Sequence, residues 1–338
     1  MKKQPWLTAL AAAIGILILI LDSRTALAGA SEGISLCIKT IIPSLFPFIF
    51  LSGVFSAHCR GTSHLSRLLG KLFFIPQGLE PLLVPALLGG YPVGAQCIYE
   101  AYRTGAVPLQ VAQRALAYCS NIGPAFLFGI LPAFFSKAAT VWAIWGIQLF
   151  SVLCAAFLFS VPKYTAEAFS AAESFGIEQA IGAMLKICGW VILFRVIISF
   201  FRRWFLWMCN STVQVFIVGV LELSNGCCML KLIGNESIRF IICNILLSFG
   251  GLCVLYQTIS VCPGLSIRFY LCGKLIQALA AAVAATALAF RLWILIPIWG
   301  FLLFLLKAAE KTVEIRGTVM YNGRKNGWRA GHAVSQKN

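Results

Sequence analysis

The sequence predicts an all-α polytopic membrane protein, and three observations lead to this prediction. Hydrophobic residues make up 60% of the 338 residues and charged residues 11%, whereas soluble domains carry about 25% charged residues. The mean hydropathy is +0.88. Long apolar runs approach the roughly 20 residues that a spanning helix needs, and Gly- and Pro-containing stretches interrupt some of them. We therefore predict about eight spanning helices plus two re-entrant or broken helical hairpins, arranged in two inverted repeats.

The charge balance predicts topology rather than nucleic-acid binding. The chain has 27 Lys and Arg against 11 Asp and Glu, a formal net charge of +16, and basic residues of membrane proteins accumulate in cytoplasmic loops. The expected macromolecular environment is a lipid bilayer, and a homo-oligomer is compatible with the sequence. The 13 cysteines lack the clustered spacing of metal sites. No hydrolase, nucleotide-loop or zinc-protease motif occurs, so we expect no enzyme, no catalytic residue, no metal and no cofactor.

The N-terminal region, residues 1–32, is predicted to hold one membrane helix and a loop. The apolar run from Trp6 to Leu21 forms the helix, and Lys2 and Lys3 place the N-terminus in the cytoplasm. Ala26-Leu27-Ala28 resembles a signal-peptidase site. The membrane-embedded character of the downstream sequence favours an uncleaved helix, and cleavage stays open as the alternative.

The first repeat, residues 33–161, is predicted to contain four membrane segments. They are a span bent at Pro43 and Pro47, a hairpin, a broken span and a returning span: Gly33–Ala57, Leu79–Tyr102, Ala115–Phe135 and Ala138–Val161. The hairpin is expected because glycines and a proline fall at its centre and basic loops flank both of its ends. Irregular backbone at membrane depth is tolerated only inside protein or beside a wet cavity, and a Gly/Pro-interrupted apolar segment points to a transporter binding site.

A connector at residues 162–177 separates this repeat from a second one at residues 178–290. Leu221–Gly226 matches Gly89–Gly94 in order, and Ser248–Gly251 matches Ser120–Pro124. The remaining segments are Ile177–Phe201, Ile238–Gln257, Ile267–Ala289 and Leu292–Leu306. In this arrangement Arg202-Arg203 lies on the outer side, against the positive-inside trend. Residues 291–338 form a last helix and a basic tail, which places the C-terminus in the cytoplasm as well.

Glu222 is the most informative single residue, because it lies in the apolar run Phe216–Leu223 directly before a break. A carboxylate at membrane depth is costly and normally faces a cavity, a partner or a cation. The functional interpretation is binding of a solute or of a coupling cation. The alternative is a structural ion pair with Lys186 or Arg195.

Amide side chains beside the breaks complete the predicted solute site, because an amide can donate and accept hydrogen bonds with a ligand such as a nucleoside. Asn244, within an intact span, is instead expected to bond between helices. The predicted solute-binding residues are Gly89, Gly90, Tyr91, Pro92, Gly94, Gln96, Ser120, Asn121, Glu222, Asn225, Ser248, Gly250, Gly251 and Gln257.

Three motifs of the first repeat resemble the nucleoside recognition (Gate) domain family, in particular its sporulation integral membrane protein (YlbJ) type. They are Pro43-Ser-Leu-Phe-Pro-Phe, Gly89-Gly-Tyr-Pro-Val-Gly-Ala and Ser120-Asn-Ile-Gly-Pro-Ala-Phe-Leu-Phe-Gly. Leu221-Glu-Leu-Ser-Asn-Gly and Ser248-Phe-Gly-Gly-Leu-Cys-Val resemble a second copy. The resemblance covers about residues 33–290 and implies similarity to part of the concentrative nucleoside transporters, whose hairpins and unwound helices hold a nucleoside and a coupling ion. Unlike those transporters, this chain is expected to have no other buried acid, which counts against cation coupling.

The sequence thus predicts a transporter or permease-like protein that binds a small polar solute between two repeats at the midplane of the membrane. The resemblance suggests a nucleoside as the solute, a coupling cation as a further partner, a link to sporulation, and a location in the bacterial cell (inner) membrane. The alternative function is that of a non-transporting membrane factor required for spore formation.

Overall fold

The computed structural model describes residues 5–58, 83–160 and 176–309, together with residues 68, 70, 71 and 73. Almost all of the predicted connector at 162–177, most of the loop after the second span and the basic tail beyond residue 309 lie outside the described residues. Within them the secondary structure is entirely helical, which confirms the all-α prediction for this part of the chain.

Two runs of α-helices follow one another along the chain. The first contains α1 (Pro5–Leu21), α2 (Ser23–Leu36), α3 (Ile42–His58), α4 (Leu83–Leu88), α5 (Val93–Arg103), α6 (Leu109–Leu116), α7 (Pro124–Ile130) and α8 (Ala138–Phe159). The second contains α9 (Ile177–Trp204), α10 (Ser211–Leu221), α11 (Leu223–Cys228), α12 (Glu236–Phe249), α13 (Gly251–Val261) and α14 (Ile267–Phe290), followed by α15 (Leu295–Ala309). Short 3₁₀ turns follow α7, α9 and α11 at Leu131–Ala133, Leu206–Met208 and Leu230–Leu232.

Five helical stretches of the described chain are long and apolar enough to cross a membrane. They are Ser23–Leu51, Ala138–Phe159, Ile177–Trp204, Glu236–Val261 and Ile267–Phe290. This is compatible with the membrane protein that the composition predicts. The total of about eight spans and the inverted relation of the two repeats stay predictions.

The second predicted span begins at Ser23 rather than at Gly33, so much of the expected loop after α1 is helical. Asp22 caps this helix: its Oδ1 accepts a hydrogen bond from the Thr25 N–H at 3.4 Å. A π-helical segment, Cys37–Ile41, joins α2 to α3 directly before the first proline. Proline lacks the N–H that would bond to the preceding turn. One residue further on, the Ser44 hydroxyl donates to the Thr40 carbonyl at 2.7 Å.

Two pairs of short helices fold back on themselves as hairpins. A Cβ atom added to Gly94 in α5 would lie 3.0 Å from the Ala86 Cα in α4, although eight residues of a continuous helix would span about 12 Å. In the same way a Cβ at Gly226 in α11 would lie 2.2 Å from the Gly219 Cα in α10. The chain thus turns back between α4 and α5, and the α10–α11 hairpin occupies the matching place in the second half; that these hairpins are re-entrant in a membrane stays a prediction.

Each hairpin is followed by a pair of helices separated by a break. The first pair is α6–α7, interrupted at residues 117–123, and the second is α12–α13, interrupted at Gly250. Gly250 and Gly251 have φ angles of +83° and +86°, a left-handed conformation that favours glycine. The predicted order of breaks, hairpin and then broken helix, therefore occurs in both halves.

The long helices pack around these interrupted elements. Glycines in α2 allow a close approach to α9, because a Cβ at Gly33 would lie 3.0 Å from the Ile192 Cα. An ion pair of 3.1 Å between Arg203 and Asp22 fastens the ends of the same two helices. This contact gives Arg203 a structural role on the side where the sequence did not predict basic residues. The largest buried apolar cluster lies between α7, α8, α12 and α14.

Candidate functional site

The interrupted elements converge on one small cavity. Gly90 and Tyr91 of the first hairpin tip line it together with Glu222 and Ser224 of the second tip. Gly123 of the α6–α7 break and Gln257 of α13 complete the polar side of the wall. The apolar side comes from α3, from the π segment before it, from α7 and from α9: Ile41, Leu45, Phe126, Ile187 and Val191.

The volume of this central cavity is about 40 Å³. One water molecule needs roughly 10–15 Å³ by this kind of measure, so the central cavity has room for a few waters. Pockets for small organic ligands usually measure about 300–1,000 Å³. A nucleoside would therefore fit only after the surrounding elements move apart.

The first hairpin tip is fastened to the break of α12–α13 by Tyr91. Its hydroxyl donates to the Leu247 carbonyl at 3.1 Å, one of the carbonyls that lose their intrahelical partners where a helix ends. A Cβ at Gly250 would lie 3.1 Å from the Tyr91 Cζ, and one at Gly123 would lie 3.1 Å from the Gly90 Cα. Glycine is thus needed at both contacts to bring the breaks together.

The second hairpin tip is built on the carboxylate of Glu222, which is 2% exposed. Oε1 accepts from the Ser224 N–H at 3.0 Å. Oε2 accepts from the Asn225 N–H at 2.7 Å and from the Asn225 Nδ2 at 2.6 Å. Glu222 is therefore the N-cap of α11, where charge-assisted bonds and the positive helix end stabilise a carboxylate.

The ion-pair alternative for Glu222 is not found among the described residues. Arg195 instead forms an ion pair with Glu32 across the α2–α9 contact. Lys186 lies in a neighbouring pocket without contacting Glu222. A carboxylate has about four acceptor positions. On Glu222 the three hydrogen bonds and a further contact from the Ser224 side chain occupy them.

Two larger pockets lie beside the central cavity along α9. The first, of about 210 Å³, includes Pro92, Gln96, Lys186, Gln257 and Ser260, and we call it the Gln96 pocket. The second, of about 340 Å³, includes Glu32, Lys39, Arg195, Arg202 and Asn225, and we call it the Asn225 pocket.

The order of lining residues on α9 places these two pockets on opposite sides of the central cavity. Lys186 belongs to the Gln96 pocket, Val191 to the central cavity and Arg202 to the Asn225 pocket. The rise of a helix separates the first and last of these by about 24 Å. The three spaces therefore follow one another along the helix axis.

The predicted solute-binding residues divide into two groups. Those lining the central cavity or a neighbouring pocket are Gly90, Tyr91, Pro92, Gln96, Glu222, Asn225 and Gln257. Those that line none of these three spaces and pack between elements are Gly89, Gly94, Ser120, Asn121, Ser248, Gly250 and Gly251. The structure thus brings four predicted residues to the central cavity and three more to the neighbouring pockets, and it packs the other seven between elements.

Ser248 and Asn244 belong to a buried network between α8 and α12. The Ser248 hydroxyl donates to the Gln148 Oε1 at 2.8 Å, and the Gln148 Nε2 donates to the Asn244 Oδ1 at 3.2 Å. The predicted interhelical role of Asn244 is confirmed. Ser248, in contrast, bonds to another helix rather than facing the central cavity.

Lys274 is the residue that sequence reasoning missed. Its side chain is fully buried in α14, at 0% exposure, and its Nζ lies 3.1 Å from the Tyr91 Oη and 3.3 Å from the Asn121 Oδ1. The sequence analysis treated Ile267–Ala289 as an ordinary span. An ionisable residue inside an apolar span is itself an indication of a functional site, and this rule could have identified it.

Comparisons of the chain with protein-family models, with curated proteins and with solved structures each found no match.

Proposed function

We propose that this protein is an integral membrane transporter or permease-like protein that binds a small polar solute between its two halves. The observation that supports this most is the convergence of both hairpin tips and the α6–α7 break on one cavity with a pocket on either side. Interrupted helices at membrane depth are stable only within protein or beside water, and they are the usual framework of solute sites in secondary transporters.

The proposed cycle is alternating access around the central cavity. The Gln96 pocket and the Asn225 pocket are the two approaches, and rocking of one half against the other would open one approach while closing the other. In this proposal the two halves are inverted repeats of the Gate type, as the motif resemblance suggests. The contracted central cavity then corresponds to a state in which neither approach admits the solute.

A nucleoside is the solute that the resemblance favours. The Gln96 and Gln257 amides can donate and accept together, which suits a base, and a ribose hydroxyl could replace the Ser224 side chain as a donor to the Glu222 carboxylate. Both interactions need an expanded cavity. Asn225 would join them as the residue that connects Glu222 to the second approach.

The alternative is a non-transporting membrane factor required for spore formation. The small volume of the central cavity, about 40 Å³, is the observation that favours it. In that case the convergence of breaks serves stability or partner binding, and no solute stabilises the folded chain.

The test is thermal unfolding of the full chain, purified in detergent, with a panel of nucleosides, bases and nucleotides. A ligand at 100 times its Kd stabilises the native state by about 2.7 kcal/mol. We expect one nucleoside class to raise the unfolding temperature of the native chain and of Glu236→Gln. Glu236 is an exposed acid in the first turn of α12 and is the matched control.

Glu222→Gln should lose this shift, because the amide replaces one acceptor oxygen by a donor. Uptake into proteoliposomes with the same nucleoside then distinguishes transport from binding alone. A panel that leaves the unfolding temperature unchanged throughout would contradict the transporter proposal and favour the sporulation factor.

A further inference from the structure

Lys274 and Glu222 are the two charged side chains that are buried within the described residues. Glu222 caps a helix, whereas Lys274 lies in the middle of α14 with no helix end beside it. The neighbouring glycine brings α14 against the α6–α7 break, since a Cβ at Gly273 would lie 2.1 Å from the Ala117 carbonyl oxygen. This contact places the lysine side chain behind the central cavity.

Three oxygen atoms from three different segments surround the Lys274 Nζ. They are the Tyr91 Oη of the first hairpin tip at 3.1 Å, the Asn121 Oδ1 of the α6–α7 break at 3.3 Å and the Gln277 Oε1 of α14 at 2.9 Å. An ammonium group has three donors and no acceptor. The number of neighbouring oxygens therefore equals its hydrogen-bonding capacity.

Each of the three side chains also has a hydrogen-bond donor, and that donor bonds to a backbone carbonyl. Only the oxygen atom of each side chain is therefore left to bond to the lysine. The Tyr91 hydroxyl proton goes to the Leu247 carbonyl at 3.1 Å. The Asn121 Nδ2 donates to the Tyr118 carbonyl at 2.6 Å, and the Gln277 Nε2 donates to the Ala117 carbonyl at 3.0 Å. What remains is a set of lone pairs converging on one point, and only a donor with several protons satisfies all of them.

The surroundings stabilise a positive charge without an acid. In the described chain no carboxylate forms an ion pair with Lys274. Its Nζ lies 4.8 Å from the ring centre of Tyr91 and 5.8 Å from that of Tyr270, within the range of cation–π attraction. The titratable groups that face it are Tyr91, Tyr270 and Cys119.

Membrane proteins also coordinate monovalent metal cations with several neutral oxygen atoms directed at one point. Here the point is occupied by a side chain. We propose that Lys274 supplies the cation of this site from the chain itself. Its positive charge holds the first hairpin tip, the α6–α7 break and α14 together in the closed arrangement.

Two consequences follow for the molecule. No sodium or potassium ion binds among these oxygens while the ammonium group is present. Tyr91 cannot leave the central cavity without releasing Lys274, so the hairpin tip and the lysine move together. The inference does not depend on transport, since both consequences concern the chain without solute.

The first test restores the charge without the covalent bond. Lys274→Ala removes three methylene groups and the ammonium, and n-propylammonium has the same composition. We expect the variant to unfold about 5–10 °C below the native chain. Millimolar n-propylammonium should recover much of this loss, while 1-propanol at equal concentration should not. Lys137→Ala, which truncates an exposed lysine at the start of α8, is the control and should change nothing.

The same variant should gain a response to metal ions. With the oxygens free, sodium or potassium chloride should raise the unfolding temperature of Lys274→Ala above that in choline chloride at equal ionic strength. The native chain should not distinguish the three salts. Recovery by 1-propanol to the same extent as by n-propylammonium would mean that Lys274 only fills space, and a sodium- or potassium-specific rise in the native chain would place the cation elsewhere. Either result overturns the proposal.

A second comparison keeps Lys274 in place, in case its truncation prevents folding. Asn121→Asp adds a negative charge beside the ammonium, and Asn121→Leu is the apolar variant of similar size. Both variants lose the Nδ2 donor to the Tyr118 carbonyl. If Lys274 is positively charged, the carboxylate of Asn121→Asp gains an ion pair that Asn121→Leu lacks, so Asn121→Asp should unfold at the higher temperature. Equal or lower stability of Asn121→Asp overturns the proposal.

Discussion

At the scale of single residues, the second hairpin tip shows how a carboxylate is kept inside apolar surroundings without a cation. The backbone of α11 supplies two donors to Glu222, and the Asn225 side chain supplies a third. Sequence reasoning identified Glu222 as exceptional from its cost at membrane depth. It could not identify the partner, because a cap and an ion pair look alike until the local backbone is known.

The cap should make Glu222 important for stability even when no solute is present. We expect Glu222→Ala to reduce the free energy of unfolding by about 2–3 kcal/mol, because it leaves the buried N–H groups of Ser224 and Asn225 without an acceptor. Asn235 caps α12 through its Oδ1 at an exposed position, where water can replace the acceptor, so Asn235→Ala should cost about 1 kcal/mol. Thermal or denaturant unfolding of both variants measures this difference. Equal losses would contradict the buried-cap interpretation.

The Tyr91 hydroxyl should contribute strongly to stability, because it takes part in two buried hydrogen bonds. It accepts one from Lys274 and donates the other to the Leu247 carbonyl. Tyr91→Phe leaves one of the three Lys274 donors and the Leu247 carbonyl without a partner, and we expect a loss of about 2–4 kcal/mol. Tyr256 is 47% exposed and stacks on Trp190 with ring centres 5.4 Å apart, so Tyr256→Phe is the matched control and should be nearly neutral. Amide hydrogen exchange would then show faster opening around residues 90–93 and 247–251 in the first variant only. Unchanged exchange there would mean that the hydroxyl does not connect the two breaks.

At the scale of elements, the two hairpins are held closed by contacts that only glycine allows. Gly94 fits beneath the α6–α7 break, where an added Cβ would lie 1.7 Å from the Cys119 carbonyl oxygen. The positions of the breaks were predictable, because glycine and proline act on the backbone locally. The π segment before Pro43 and the helical start at Ser23 were not, because they depend on packing against α9.

Gly94→Ala is therefore expected to separate the first hairpin from the α6–α7 break. A backbone carbonyl cannot yield as a flexible side chain would, so we expect a loss of at least about 3 kcal/mol. Gly189 lies in α9 with open space around its Cβ position, and Gly189→Ala should be neutral or stabilise by about 0.5–1 kcal/mol through helix propensity. Unfolding temperatures of the two variants give the comparison. A neutral Gly94→Ala would mean that the hairpin does not pack this closely.

At the scale of the whole molecule, the sequence predicted the order of interrupted elements, and seven of its fourteen predicted site residues line the central cavity or a neighbouring pocket. The matching order of breaks in the two halves was visible because each break is a short local motif. Lys274 contacts Tyr91 and Asn121 across 183 and 153 residues of chain. No local pattern carries such a contact, so the residue behind the cavity became apparent only from the assembled fold. The small volume of the central cavity could not be predicted from the sequence either, because it depends on how closely several helices approach one another.

The two pockets along α9 lead to a prediction about the molecule as a whole. If they are approaches from opposite faces of a membrane, thiols in them should react with an impermeant maleimide from opposite sides. Cys228 is exposed and lines the Asn225 pocket, and Ser260→Cys introduces an exposed thiol into the Gln96 pocket. We expect peptide mapping to find Cys228 modified in vesicles of one orientation and the residue-260 thiol modified in vesicles of the other.

The control for this labelling is Cys272, which is exposed on α14 but lines neither pocket. It should react from neither side, because an impermeant reagent does not reach a thiol that faces lipid. Modification of both pocket thiols from the same side would contradict access from two faces, and the central cavity would then be a closed structural feature rather than the midpoint of a path.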